Sequence, residues 1–194
     1  MAMALISAGF GSCLRRFADF ARDRRGTISV ELAFVVPVLT TLLMSGVEVT
    51  RYVLINQKLE RTAATVGDLI SRMPELTEGD IASFFAASDQ VMTPYDVRID
   101  GRVILSSIAR DGGGPEIIWQ RTYGTVSADS RFGGTGDAAV LPPDFQVRDS
   151  ENVITAEVFY NFEPIMMTGV LEAKQLYSNA VFRPRFGSLT TVLP

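Results

Sequence analysis

The chain has 194 residues, a hydrophobic share of 47% and a net charge of −4, which allows one external domain with a modest core beside an apolar helix. Histidine is absent and Cys13 is the only cysteine, so Ser-His and Cys-His catalysis, most zinc chemistry and any intramolecular disulfide are excluded. The charge is unevenly divided: five arginines against two aspartates give the first 26 residues +3, which leaves −7 for the remainder, and an acidic body argues against nucleic acid as a main partner.

Residues 1–26 read as a cytoplasmic basic leader. Within it Leu14-Arg15-Arg16-Phe17-Ala18-Asp19-Phe20-Ala21 is either a short amphipathic helix lying on the inner membrane face or a disordered tail. The residues before Cys13 are too short a run, with no basic residue ahead of them, for a lipoprotein signal.

Between Arg25 and Glu48 lie 22 residues of which only Glu31 is charged. A bilayer core needs roughly 20 predominantly apolar residues, so this segment is long enough to span one and too long for the usual core of a cleaved secretory signal. Basic flanks stay cytoplasmic, which predicts an N-terminus inside and the chain after Val47 outside. Glu31 is the anomaly, because an acidic residue within a span is costly and points to function. It either snorkels towards the inner headgroups or meets a positive charge in the membrane.

The string R-R-G-T-I-S-V-E-L-A-F-V-V-P-V-L-T-T-L-L from Arg24, followed by G-V-E and an amphipathic helix, resembles the TadE-like proteins of tight-adherence (Flp) pilus systems; V-F-Y-N-F-E-P and F-R-P-R near the C-terminus are weakly similar to that family as well. The resemblance implies a pilin-like protein that a prepilin peptidase cuts between Gly26 and Thr27. It also implies that Glu31, the fifth mature residue, aligns subunits by meeting the new amine of Thr27. One position departs from the pattern: Leu32 stands where Flp prepilins usually carry an aromatic. Unprocessed relatives keep a second reading open, an uncleaved single-pass scaffold or sensor of a secretion or pilus assembly complex.

The helix is expected over residues 27–73, with a mild kink near Pro37. Tyr52, Ile55, Leu59, Ala63, Val66, Leu69 or Ile70, and Met73 form an apolar stripe, opposite Arg51, Lys58, Glu60, Arg61 and Asp68. Pro74 ends it. Residues 74–194 form the extracytoplasmic α+β domain.

Thr77 with Asp80 predicts a capped helix from Glu78 to about Gln90 that buries Ile81, Phe84 and Phe85. From Tyr95 the period becomes two, and Asp100-Gly101 predicts a hairpin turn between Tyr95–Ile99 and Val103–Ser107. A strand is expected over Glu116–Tyr123, then a long loop over 124–150, suited to flexibility and partner contacts. Its Gly133-Gly134-Thr135-Gly136 lacks the following Lys of a phosphate loop, and Asp129 and Asp137 lack calcium-loop spacing.

A strand over Asn152–Phe162 places Ile154, Ala156, Val158 and Tyr160 on one face. Ile165-Met166-Met167 reads as core in preference to a membrane contact. A last strand runs from Leu176 to Arg183, and Phe182-Arg183-Pro184-Arg185 closes the ordered part. The expected fold is α+β and pilin-like, a long N-terminal helix whose outer half packs on a small antiparallel sheet.

The expected role is a minor pilin or pseudopilin in the bacterial inner membrane, with the domain periplasmic and a possible later place in the extracellular pilus. Expected partners are the prepilin peptidase, other pilins and pseudopilins, the inner-membrane assembly platform and membrane lipid. No catalytic residue, cofactor or metal ligand is expected: Glu151 and Glu157 read as solvated charges.

Overall fold

The computed structural model describes residues 25–142, 145–166 and 172–194. The amphipathic segment Leu14–Ala21, Cys13 and Met167 lie outside the described residues. The chain divides between Gly46 and Val47 into two compact units. In order, the elements are α1 (Arg25–Ser71), α2 (Glu78–Met92), α3 (Val97–Asp100), β1 (Gly101–Arg110), β2 (Pro115–Tyr123), β3 (Asn152–Phe162) and β4 (Lys174–Phe182). The four strands pair antiparallel in the order β2-β1-β3-β4, so the architecture is α+β.

The first unit contains α1 as far as Gly46. The helix continues through Pro37. Its apolar side chains, from Ile28 and Leu32 to Leu42 and Leu43, are exposed.

In the second unit α1 becomes amphipathic, and Ile55, Leu59, Ala63, Val66 and Ile70 are fully buried. Ile70 rather than Leu69 completes the stripe, since Leu69 is 37% exposed. The helix stops at Ser71, two residues short of the expected Met73. The Ser71 hydroxyl turns back to the Asp68 carbonyl at 2.8 Å, and the Arg185 N–H meets the Ser71 carbonyl at 2.8 Å. Burying side chains of this size contributes roughly 1.5–3 kcal/mol each. They pack against Val103, Leu105, Trp119, Ile154, Ala156, Val158 and Tyr160 of the sheet, with Ile81 and Phe85 of α2. Gly67 lets β4 come close: a Cβ there would lie 2.5 Å from the Phe182 ring.

The capping box at Thr77 is formed in both directions, with the Asp80 N–H donating to Thr77 Oγ1 at 3.1 Å and the Thr77 N–H to Asp80 Oδ2 at 3.0 Å. Phe84 is only partly buried. The expected hairpin around Asp100-Gly101 does not form. Asp96 Oδ1 accepts the Ile99 N–H at 3.1 Å and caps a single helical turn instead. Gly101 then opens β1 with φ −133°, an extended conformation, and is required for closeness rather than for turning: its Cβ would lie 2.9 Å from the carbonyl oxygens of Val97 and Phe159. A hairpin forms instead between β1 and β2, closed by Asp111-Gly112-Gly113-Gly114, with Gly112 at φ +65°.

Both faces of the central strands are buried. Residues 124–150, expected to be a flexible loop, include a cover for the sheet face opposite α1. Phe132 and Val147 are buried there with Ile108, Ile117 and Val153, and Ala139, Leu141 and Phe145 pack alongside. A bulge serves this second core. Ser107 pairs with Trp119 but Ile108 pairs with Ile117, so Ile118 is skipped, and Trp119 and Ile117 enter different cores.

The C-terminal tail is also ordered beyond Arg185. The Leu189 carbonyl accepts Trp119 Nε1 at 2.8 Å and Ser107 Oγ at 2.9 Å, and its N–H reaches Asn152 Oδ1 at 3.1 Å. Leu193 pairs with the main chain of Leu76 and Glu78. The expectation that Phe182–Arg185 closes the ordered part is corrected by these bonds.

Candidate functional site

In the first unit the residues of interest lie between Gly26 and Glu31 of α1. Gly26, Thr27 and Glu31 are all helical and exposed. Thr27 and Glu31, four residues apart, lie over one another on one helix face. The Gly26–Thr27 bond lies within α1.

Beyond Glu31 the segment suits hydrocarbon. Phe34, Leu42 and Leu43 are all exposed. Three hydroxyls in it carry their own acceptors: Thr40 donates to the Val36 carbonyl at 2.8 Å, Thr41 to the Pro37 carbonyl at 2.8 Å and Ser45 to the Thr41 carbonyl at 2.7 Å. In a bilayer every polar group needs such internal satisfaction. This helix is long and apolar enough to cross a membrane.

In the second unit the first charged side chain after the apolar segment is Glu48, and it is fully buried. Its Oε2 accepts the main-chain N–H groups of Ile165 at 3.1 Å and Met166 at 3.0 Å, and its Oε1 accepts Arg51 Nη1 at 2.6 Å. The Arg51 guanidinium also lies 5.6 Å from the centre of the Phe162 ring. Glu48 therefore fastens the chain leaving β3 to α1 through charge-assisted bonds. Its burial is not evident in the sequence beyond one signal, a carboxylate directly after an apolar run with an arginine three residues on. Ile165 and Met166, expected as core, are 66% and 49% exposed. The bonds to Glu48 use their backbones and leave the side chains outside.

Glu157 is likewise buried rather than solvated. On the outer sheet face its carboxylate accepts the Ser130 hydroxyl, the Arg131 N–H at 2.9 Å and the Tyr177 hydroxyl at 2.9 Å. The Arg131 guanidinium stacks 3.7 Å from the centre of the Tyr177 ring. Burial, with this carboxylate alongside, raises the Tyr177 phenol well above the ordinary tyrosine range. All of its partners are structural neighbours, so the arrangement holds the 124–150 segment in place. Glu151 pairs elsewhere, with Arg183 at 3.0 Å. Asp137 closes a local turn by accepting the Gly134 N–H at 3.0 Å.

Residues 26–68 match the model of a protein family described as TadE-like protein. The match covers α1 from the glycine of the proposed junction, includes Glu31 and Glu48, and is the family that the N-terminal string resembles. No curated protein and no solved structure matches the chain.

Proposed function

We propose that the chain is a minor pilin or pseudopilin of a tight-adherence pilus, anchored in the inner membrane by residues 26–47 and used in pilus assembly or initiation. The observation that carries this reading is the match to TadE-like proteins over residues 26–68, which begins at Gly26 and coincides with a lipid-compatible helix bearing an exposed Glu31. The +3 leader supports a cytoplasmic N-terminus and a periplasmic second unit. A prepilin peptidase would cut between Gly26 and Thr27. The new amine of Thr27 on one subunit then meets Glu31 of its neighbour, since an unpaired carboxylate inside a helical bundle is costly.

The role is structural rather than enzymatic in this reading, and the partners are the peptidase, other pilins and pseudopilins, the assembly platform and membrane lipid. One observation favours a second reading. The helix already runs through the Gly26–Thr27 bond, as suits an uncleaved single-pass scaffold or sensor.

Intact-mass measurement of the membrane-extracted chain, with and without a prepilin peptidase, separates the two. A mature chain beginning at Thr27 is expected. A chain that keeps its arginine-rich leader in the presence of active peptidase transfers the assignment to the scaffold. In the cleaved case Glu31→Ala should insert normally and fail to support pilus assembly; normal piliation in that variant counts against the assembly role of Glu31.

A further inference from the structure

Glu48 directly follows the apolar segment, and its carboxylate holds the backbone of Ile165 and Met166. A tether at that residue places the two side chains where the chain emerges from the bilayer, if residues 26–47 span it. Both side chains are exposed, in the chain that leaves β3. Exposed apolar side chains fixed in one place signal an interaction surface.

The neighbouring residues of the second unit continue that surface. Val49 is 59% exposed, and with Tyr52, Phe162, Glu172 and Lys174 it lines an apolar hollow of about 260 Å³ next to Glu48. Tyr52 and Phe162 meet edge to face at 5.5 Å. Arg51 turns its charged end to Glu48, so that a potentially free cation beside the hollow is neutralised within the fold. Apolar side chains beside aromatic rings and a long lysine are the composition that settles at a membrane–water boundary, where amphipathic rings sit at the headgroup level and lysines snorkel.

We propose that the Ile165–Met166 loop, with Val49 and Tyr52, rests in the outer-leaflet interface of the same membrane that α1 crosses, and that Glu48 is the positioning residue that holds it there. The occupant is lipid because Val49 and Tyr52 follow the span directly in sequence and Glu48, the residue after it, holds Ile165 and Met166. The inference rests on the membrane-anchored reading above and adds a second, non-spanning contact. That contact would restrain the second unit against the bilayer before assembly and would be given up on extraction.

The test uses the full chain with Cys13→Ser, reconstituted in phosphatidylethanolamine–phosphatidylglycerol vesicles. An environment-sensitive fluorophore is attached in turn at Leu42→Cys, Ile165→Cys and Val140→Cys, and quenched by lipids carrying a nitroxide near the headgroup or deep in the acyl chain. Leu42 should be quenched by the deep label and Ile165, blue-shifted, by the shallow one. Val140, 68% exposed on the other sheet face, should respond to neither. Adding Glu48→Ala should return the Ile165 signal towards that of Val140 while Leu42 stays quenched. An Ile165 probe as unquenched as Val140, with Leu42 still quenched, overturns the inference and leaves the anchor standing. An Ile165 probe shielded only as protein concentration rises assigns the surface to a second copy and overturns it too. An unquenched Leu42 removes the anchor and the inference together.

Discussion

The Glu48 carboxylate accepts the Ile165 main-chain N–H at 3.1 Å, across 117 residues of sequence. A buried carboxylate with two main-chain donors and a guanidinium is fully engaged, so its energetic weight lies in what removing it would strand. Glu48→Ala leaves the Ile165 and Met166 N–H groups without their acceptor, at roughly 1–3 kcal/mol for each buried group that water cannot reach. Glu48→Gln keeps one acceptor oxygen and should cost less. Amide hydrogen exchange is the check: protection at Ile165 and Met166 should fall sharply in Glu48→Ala and partially in Glu48→Gln, with β1 unchanged. Equal protection in all three chains would show that the loop is held by something else.

Glu157 makes the corresponding prediction on the opposite sheet face. Its three donors come from Ser130, Arg131 and Tyr177, so Glu157→Ala unfastens the cover from β3 and β4 together. Limited proteolysis should then cut within 124–150, with the helix-facing core still folded. Tyr177→Phe removes a single donor and should leave the segment resistant. A protease-resistant Glu157→Ala chain would mean that Phe132 and Val147 alone hold the cover.

The long helix, its apolar-to-amphipathic change, the Thr77 capping box and the strands β2 and β3 were all legible, because each is a local pattern in which periodicity or cap chemistry acts within a few residues. The failures have one physical cause, contacts made across the chain. Ile117 and Trp119 share a face by alternation, yet a bulge at Ile118, set by pairing with β1, sends them into different cores. Residues 124–150 have the composition of a loop, and only the sheet face beneath them makes Phe132 and Val147 a core. The candidate junction residues Gly26, Thr27 and Glu31 are legible as a string, whereas the burial of Glu48 depends on Ile165 and Met166, more than a hundred residues away.

Gly101 departs from its local pattern for the same reason, and its role is testable. Asp-Gly matches a hairpin turn, but the glycine is extended and crowded by two carbonyl oxygens at 2.9 Å. Gly101→Ala must displace main chain and should cost about 1–3 kcal/mol, the usual range for overpacking. Gly79→Ala is the contrast. Its Cβ would meet only Thr77 Oγ1 at 3.7 Å, and replacing a helical Gly by Ala is favourable by about 0.5–1 kcal/mol. Urea unfolding of the full chain in detergent should move the midpoint down for the first and up for the second. An unaffected Gly101→Ala would show that the main chain around Val97 and Phe159 yields to a Cβ without cost.

Acid should act on the start of α2 before it reaches the core. The Arg121 hydrogen bond holds the Glu78 carboxyl below its ordinary 4.5, and the Thr77 hydroxyl and N–H hold Asp80 below its ordinary 3.8. Both folded values lie under the unfolded ones, so the unfolded chain binds protons first as pH falls. The stabilisation is therefore complete above about pH 4.5, begins to fade through 4.5 and 3.8, and is gone once pH drops past the lowered folded values. Both carboxylates are solvent-facing, so the effect is modest and weakened by salt. Glu78→Gln with Asp80→Asn removes both titrations. The melting temperature of the native chain should fall more steeply below pH 4.5 than that of the double variant, and the two slopes should converge in high salt. Parallel slopes at low salt would place the acid sensitivity in other carboxylates and reduce the Thr77–Asp80 box to a geometric cap without an electrostatic share.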